Sequence, residues 1–183
     1  MAAQTATTSD DYFNDVDQTS TTDYDWDSDL TNVLQLAGST ETSSIMALGG
    51  STEIMQLLEP LAGGEVGSGD ITNIKITVRA AAELFQEEGT LYVKFEDGSN
   101  TKSDTIPDDD TFSNYEFDGD LTYWGLSQSE ARDFVDGGGP FSGAFHLWVT
   151  SDVDRCIPRI KWVKAQITYE LPVSGGIHLG TAF

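Results

Sequence analysis

One cysteine, two histidines and nine basic residues in 183 positions leave this chain short of the side chains most chemistry uses. A lone Cys156 excludes an internal disulfide. His146 sits in an alternating apolar stretch and His178 in a Gly-flanked tail, so with one distant Cys they make no zinc set. No Lys or Arg precedes Lys75. No apolar run approaches the roughly 18 residues of a membrane span, and the opening "MAAQTATTSDDYF" lacks the basic and apolar regions of a secretory signal. Nothing resembles a nucleophile elbow, and "GGEVGSGD" has neither the Lys nor the helix of a phosphate cradle.

What the chain has in excess is carboxylate: 31 acidic residues and a net charge of −22. Such a field repels phosphates, so nucleic acid and anionic membranes are excluded as partners. It also repels itself, and an Asp-rich, Lys-poor surface suits a high-salt environment, where the Debye length at about 1 M is only about 3 Å. The stretch "DYDWDSD" (23–29) raises calcium, but counting from Asp23 an EF-hand would need Gly at Ser28 and Glu at Leu34. No cofactor is implied, although a structural cation such as calcium in a loop like "PDDDTF" stays open. Paired carboxylates for a glycosidase are uninformative where acids are everywhere. The expectation is a protein that is not an enzyme.

Three segments organise the chain. Residues 1–22, rich in Ala, Thr, Ser and Asp, read as a flexible acidic arm. Residues 23–172 carry the folded domain, and 173–183 read as a C-terminal arm with Ile177, Leu179 and Phe183 as apolar anchors. Within the domain, alternation predicts strands. Ile74, Ile76 and Val78 share a face, as do Leu91, Val93 and Phe95; then Tyr115 with Phe117; then Phe145, Leu147 and Val149. In the last strand Val163, Ala165, Ile167 and Tyr169 share a face opposite Ile160 and Trp162. "LTNVLQLAG" and "STEIMQLLEPLAGG" lean toward strands. "LSQSEARDFVDGGG" predicts one short helix, opened by a Ser127/Glu130 capping box and closed by glycine. Short strands at spacings near ten residues define an all-β fold, an antiparallel, jelly-roll-like β-sandwich.

Aromatics supply the remaining candidates. Trp124, Trp148 and Trp162 could form a sugar platform or pack in the core. Trp148 is the best placed for exposure, since Leu147 and Val149 point the other way. In "DYDWDSD" alternation sets Tyr24 and Trp26 against a row of carboxylates, an edge segment with Trp26 tucked against the sandwich or a neighbouring subunit.

The series "DITNIKITVRAAAE", "TLYVKFEDGSNTKSD", "DLTYWGLSQSEARDF", "FHLWVTSD" and "IKWVKAQITYE" resembles a β-sandwich domain found in virion proteins of tailed phages and archaeal tailed viruses. The matching residues are Ile74, Ile76 and Val78, then Gly98, Ser99 and Lys102, then Trp124, Gly125 and Leu126, and last Tyr169, with Glu170 where a second aromatic is common. The resemblance implies a non-enzymatic protein on the outside of a virion, made in a host cytoplasm. It would be a capsid decoration or turret first, a tail or fibre component second. Its partners would be other virion proteins and further copies of itself, through surfaces that include Trp26, Trp148, Ile177, Leu179 and Phe183. The alternative is a carbohydrate-binding module reading surface glycans through exposed tryptophan; a glycan hydrolase is third.

The charge excess generates its own test. Stability measured by refolding should rise between low and molar salt, and equal stability at both would remove the self-repulsion argument.

Overall fold

The computed structural model describes residues 4–18, 24–26, 30–34, 41–44, 46, 50–83, 87–137, 143–152 and 155–171. Its strands are β1 (Thr5–Thr7), β2 (Phe13–Gln18), β3 (Thr42–Ser43), β4 (Gly50–Ser51), β5 (Met55–Pro60), β6 (Ile71–Ala82), β7 (Gly89–Phe95), β8 (Lys102–Ile106), β9 (Ser113–Gly119), β10 (Phe145–Ser151) and β11 (Pro158–Glu170). Two helices, α1 (Leu121–Trp124) and α2 (Gln128–Asp136), lie between β9 and β10.

Among the described residues these strands form a five-stranded and a six-stranded sheet, with antiparallel ladders throughout. The first runs β1-β11-β6-β9 with β3 also on β11; the second runs β2-β5-β10-β7-β8 with β4 also on β10. The antiparallel β-sandwich is thus the fold. Its core follows from period two: Ile74, Ile76, Val78, Val163, Ala165 and Ile167 come from one inner face, and Met55, Leu57, Leu91, Val93, Leu147 and Val149 from the other, all buried.

The "YWGLSQSEARDF" segment plugs the sandwich as a local solution to chain reversal. Asp120 accepts from Tyr123 N at 2.7 Å, opening α1. Gly125 then takes φ 69°, where a β-carbon would collide with Ser99 Oγ. Ser127 caps α2 in a full capping box with Glu130, and Gly137 closes it in the left-handed region. Those hydrogen bonds from Ser127 hold the Glu130 carboxyl below its ordinary value. Trp124 is fully buried, its Nε1–H donating to Ile74 O at 2.9 Å. Its ring meets Phe95 edge-on at 4.9 Å, and Phe95 in turn meets Phe134 at 4.7 Å and Phe145 at 5.3 Å.

Three expectations need correcting. Within the expected flexible arm 1–22, β1 pairs with β11 and β2 with β5, and Tyr12 and Phe13 are buried; Phe13 packs on Phe134 and Phe145, so few anchors suffice when each is a large ring. In "LTNVLQLAG", Leu30–Leu34 is a 3-10 turn and no strand; the second segment does supply β5, then a 3-10 turn at Leu61–Glu65. The expected short helix is α2, which a single four-residue turn, α1, precedes. Finally, Ile160 is buried along with Val163, because a bulge between Ile160 and Trp162 shifts the alternation by one residue. The C-terminal arm 173–183, with Ile177, Leu179 and Phe183, lies outside the described residues.

Phe95 touches three of the aromatic rings in this cluster. Phe95→Ala should cost about 3–5 kcal/mol in urea unfolding, and a loss below about 1 kcal/mol would show that the cluster collapses without it.

Candidate functional site

The outer face of the six-stranded sheet is built by the same alternation that builds the core. Leu147 and Val149 point in, so His146, Trp148 and Thr150 point out; Leu91, Val93 and Phe95 point in, so Thr90, Tyr92 and Lys94 point out. Antiparallel register then sorts the outward side chains into three rows. One runs Asp17, Gln56, His146, Lys94 across four strands. The next runs Trp148, Tyr92, Ser103. The third runs Ser51, Thr150, Thr90, Thr105, a line of hydroxyls. Successive rows are about 7 Å apart, two residues along a strand.

The central row is the distinctive one. Tyr92 and Trp148 are half-buried and stack with ring centroids 5.3 Å apart and planes 10° from parallel. Each ring fixes the other, which holds an apolar surface in place between two polar rows.

Beside it, Gln56 Nε2 lies 3.2 Å from His146 Nε2. The tautomer that fits has the Gln56 amide donating to an unprotonated Nε2, which leaves the proton on Nδ1. Burial pushes the His146 pKa down, and Lys94 across the ladder pushes it further, against a weaker pull from Asp97. Glu96 Oε2 stands 3.9 Å from His146 Nε2. Burial, then Asp97, raises the Glu96 pKa, partly offset by Lys94. Both shifts favour the neutral forms, so desolvation outweighs attraction and the contact is no salt bridge near neutral pH.

Other candidates are dispersed. Trp124 belongs to the core, and Trp162 lies on the outer face of the opposite sheet, edge-on to Tyr12 at 6.5 Å with Lys164 Nζ 5.3 Å from its ring. The three tryptophans therefore form no common platform. Trp26, one of the proposed interface residues, is 2% exposed, and its Nε1–H donates to Glu53 O at 2.8 Å. It is tucked against its own sandwich. Tyr92 was not singled out from sequence, although the alternation in "TLYVKF" places it outward as surely as Trp148. Cys156 is buried, its thiol pushed up to about 12, so it is an inert core residue. In "PDDDTF", Asp109 accepts from Thr111 N at 2.9 Å and Asp110 pairs with Arg159, which employs both in closing the loop. Among the described residues no group of three His, Cys, Asp or Glu side chains is placed to hold a metal.

No protein-family model matches the chain, and no curated protein matches it. Solved structures that match include TmCBM61 in complex with β-1,4-galactotriose, at 9% identity over 84% of this chain and 89% of that one, with a TM-score of 0.42. A second is the C-terminal CBM6 of LamC from Zobellia galactanivorans, at 13% identity, 90% and 99% coverage and a TM-score of 0.37. A third is the carbohydrate-binding module CBM6cm-2 of the Cellvibrio mixtus lichenase 5A in complex with cellotriose, at 13%, 87% and 95%, with 0.35. Likeness at this level says nothing about a ligand for this chain. These neighbours are carbohydrate-binding modules and not viral proteins, which overturns the virion resemblance and the capsid, turret, fibre and tail roles drawn from it. The physical reason is visible in the motif. Trp124, Gly125 and Ser127 fill a core, reverse a chain and cap a helix, work that any sandwich can require.

The half-buried imidazole predicts a pH signature. Because its folded pKa is depressed, the unfolded chain binds more protons between that value and about 6.5, so stability rises with pH across this window and is lost as pH falls through it. The raised Glu96 contributes a slope of opposite sign above about 4.5. The difference between wild type and His146→Gln isolates the His146 contribution: the variant should lose the rising slope below 6.5 in a pH series of urea melts, and identical slopes would refute a half-buried imidazole held neutral.

Proposed function

We propose that the outer face of the six-stranded sheet is a carbohydrate-binding surface and that the chain works by binding, with no catalytic step. The observation that carries this reading is the stacked, half-buried Tyr92–Trp148 pair set between a row of hydroxyls and the Gln56–His146 row. A sugar ring has an apolar C–H face and a rim of hydroxyls. An aromatic surface takes the first, and flanking amide, imidazole and hydroxyl groups exchange hydrogen bonds with the second. The face is ill suited to catalysis: the His146 Nε2 lone pair that a general base would use is taken up by the Gln56 amide, and the one thiol lies in the core.

Titration against a panel of oligosaccharides, followed by calorimetry, tests the reading. Trp148→Ala should weaken binding at least tenfold, about 1.4 kcal/mol, without changing the unfolding midpoint by more than the cost of a surface substitution. Binding that survives Trp148→Ala and Tyr92→Ala together would move the site elsewhere.

A further inference from the structure

Basic residues are scarce in this chain, and they are not scattered. Five of the nine stand on two neighbouring strands, Lys75 and Arg79 on β6 and Arg159, Lys161 and Lys164 on β11. Three of these already hold carboxylates: Lys75 pairs with Glu116 at 2.9 Å, Lys164 with Asp10 at 3.5 Å, and Arg159 with Glu41 and Asp110. Arg79 and Lys161 pair with no carboxylate among the described residues, in a chain that has 31 acids.

The ladder sets both cations beside aromatic rings on the outer face of the five-stranded sheet. Half-buried Trp162 lies directly opposite Arg79, and Arg79 opposite Asn114, whose Oδ1 accepts from the guanidinium at 2.9 Å. Directly opposed side chains on one face stand about 5 Å apart at Cβ, so indole, guanidinium and amide form one row. In the next row Arg159 faces the small, buried Ala81, and the Phe112 ring lies 5.0 Å from its guanidinium and 5.4 Å from Lys161 Nζ. Lys161 is the residue that the β11 bulge leaves without a ladder partner, and bulges re-aim side chains on a strand surface.

We propose that this row is a second binding site, separate from the Tyr92–Trp148 surface, and that it takes a sugar acid. The apolar face of a hexuronic acid residue rests on Trp162, and its carboxylate meets the planar N–H fork of Arg79, with Lys161 as second cation. Of the five N–H donors of Arg79, one is committed, to Asn114. An acidic peptide fits less well: β6 and β11 are paired along both sides, so the row lends no free backbone edge to an extended chain. The net charge of −22 opposes anions at a distance, so the preference is made at contact and suits a short ligand with few carboxylates.

Calorimetric titration with trigalacturonic acid, its methyl ester and the neutral galactose trisaccharide tests the site. The acid should bind at least about tenfold more tightly than the ester. Arg79→Gln with Lys161→Gln should erase that preference, while Tyr92→Ala with Trp148→Ala should leave it in place. Equal binding of acid and ester, or a preference that outlasts the loss of both cations, overturns the site. So does a preference that vanishes with Tyr92 and Trp148, which would put the carboxylate on the other sheet. An Asp- and Glu-containing peptide of equal charge that displaces the sugar acid as well as the sugar acid displaces itself would show a site for charge alone and overturn the sugar. If the neutral trisaccharide fails to bind while the acid keeps its preference over the ester, the Tyr92–Trp148 reading falls and this one stands.

Discussion

The register between β7 and β10 is the constraint on which both the core and the site depend. One ladder pairs Phe95 with Phe145 on the inner face and Tyr92 with Trp148 on the outer face. Because side chains alternate with period two, a slip of one residue would turn the four rings inside out. The inner pair is locked by Trp124 and Phe134, which arrive from the two helices, and by Phe13 from β2. Packing beneath the sheet therefore holds the geometry of the surface above it. Loss of a ring in the core is felt at the stacked pair, while loss of an outer ring leaves the core cluster intact.

The helical plug explains how that register is enforced. Two tight reversals, at Gly125 and Gly137, aim Trp124 and Phe134 at Phe95. Neither helix is long enough to be stable alone, at four and nine residues. They persist because their caps satisfy the free backbone donors and because their buried side chains have nowhere else to go. Trp124 contributes twice, filling the centre of the cluster and tying the indole N–H to the backbone of β6. In this way the plug joins the two sheets.

Where a strand alternates strictly, the sequence was enough to place it. The inner residues of β6, β7, β9 and β10, the capping box of α2 and the outward direction of Trp148 all read directly from spacing. What failed did so for identifiable reasons. The strands near the N-terminus were hidden because β1 has three residues and β2 carries a single fully buried ring, Phe13, among polar neighbours. Ile160 was assigned to the wrong face because a bulge leaves no mark on periodicity. The likeness to viral sandwiches misled because its most distinctive piece, "YWGLSQSEARDF", specifies a chain reversal and a helix cap. Tyr92 escaped notice as a site residue since nothing local distinguishes it; its role comes from lying opposite Trp148, and that depends on strand order.

The site is rigid before any ligand arrives, and this bears on what it can bind. Its groups stand on paired strands, the two rings are held by mutual stacking, and Gln56 and His146 hold each other by a hydrogen bond. Little side-chain freedom is left to lose on association, which favours even a modest contact area. In the proposed reading the flat aromatic centre meets the C–H face of a sugar ring and the neutral flanks meet its hydroxyls.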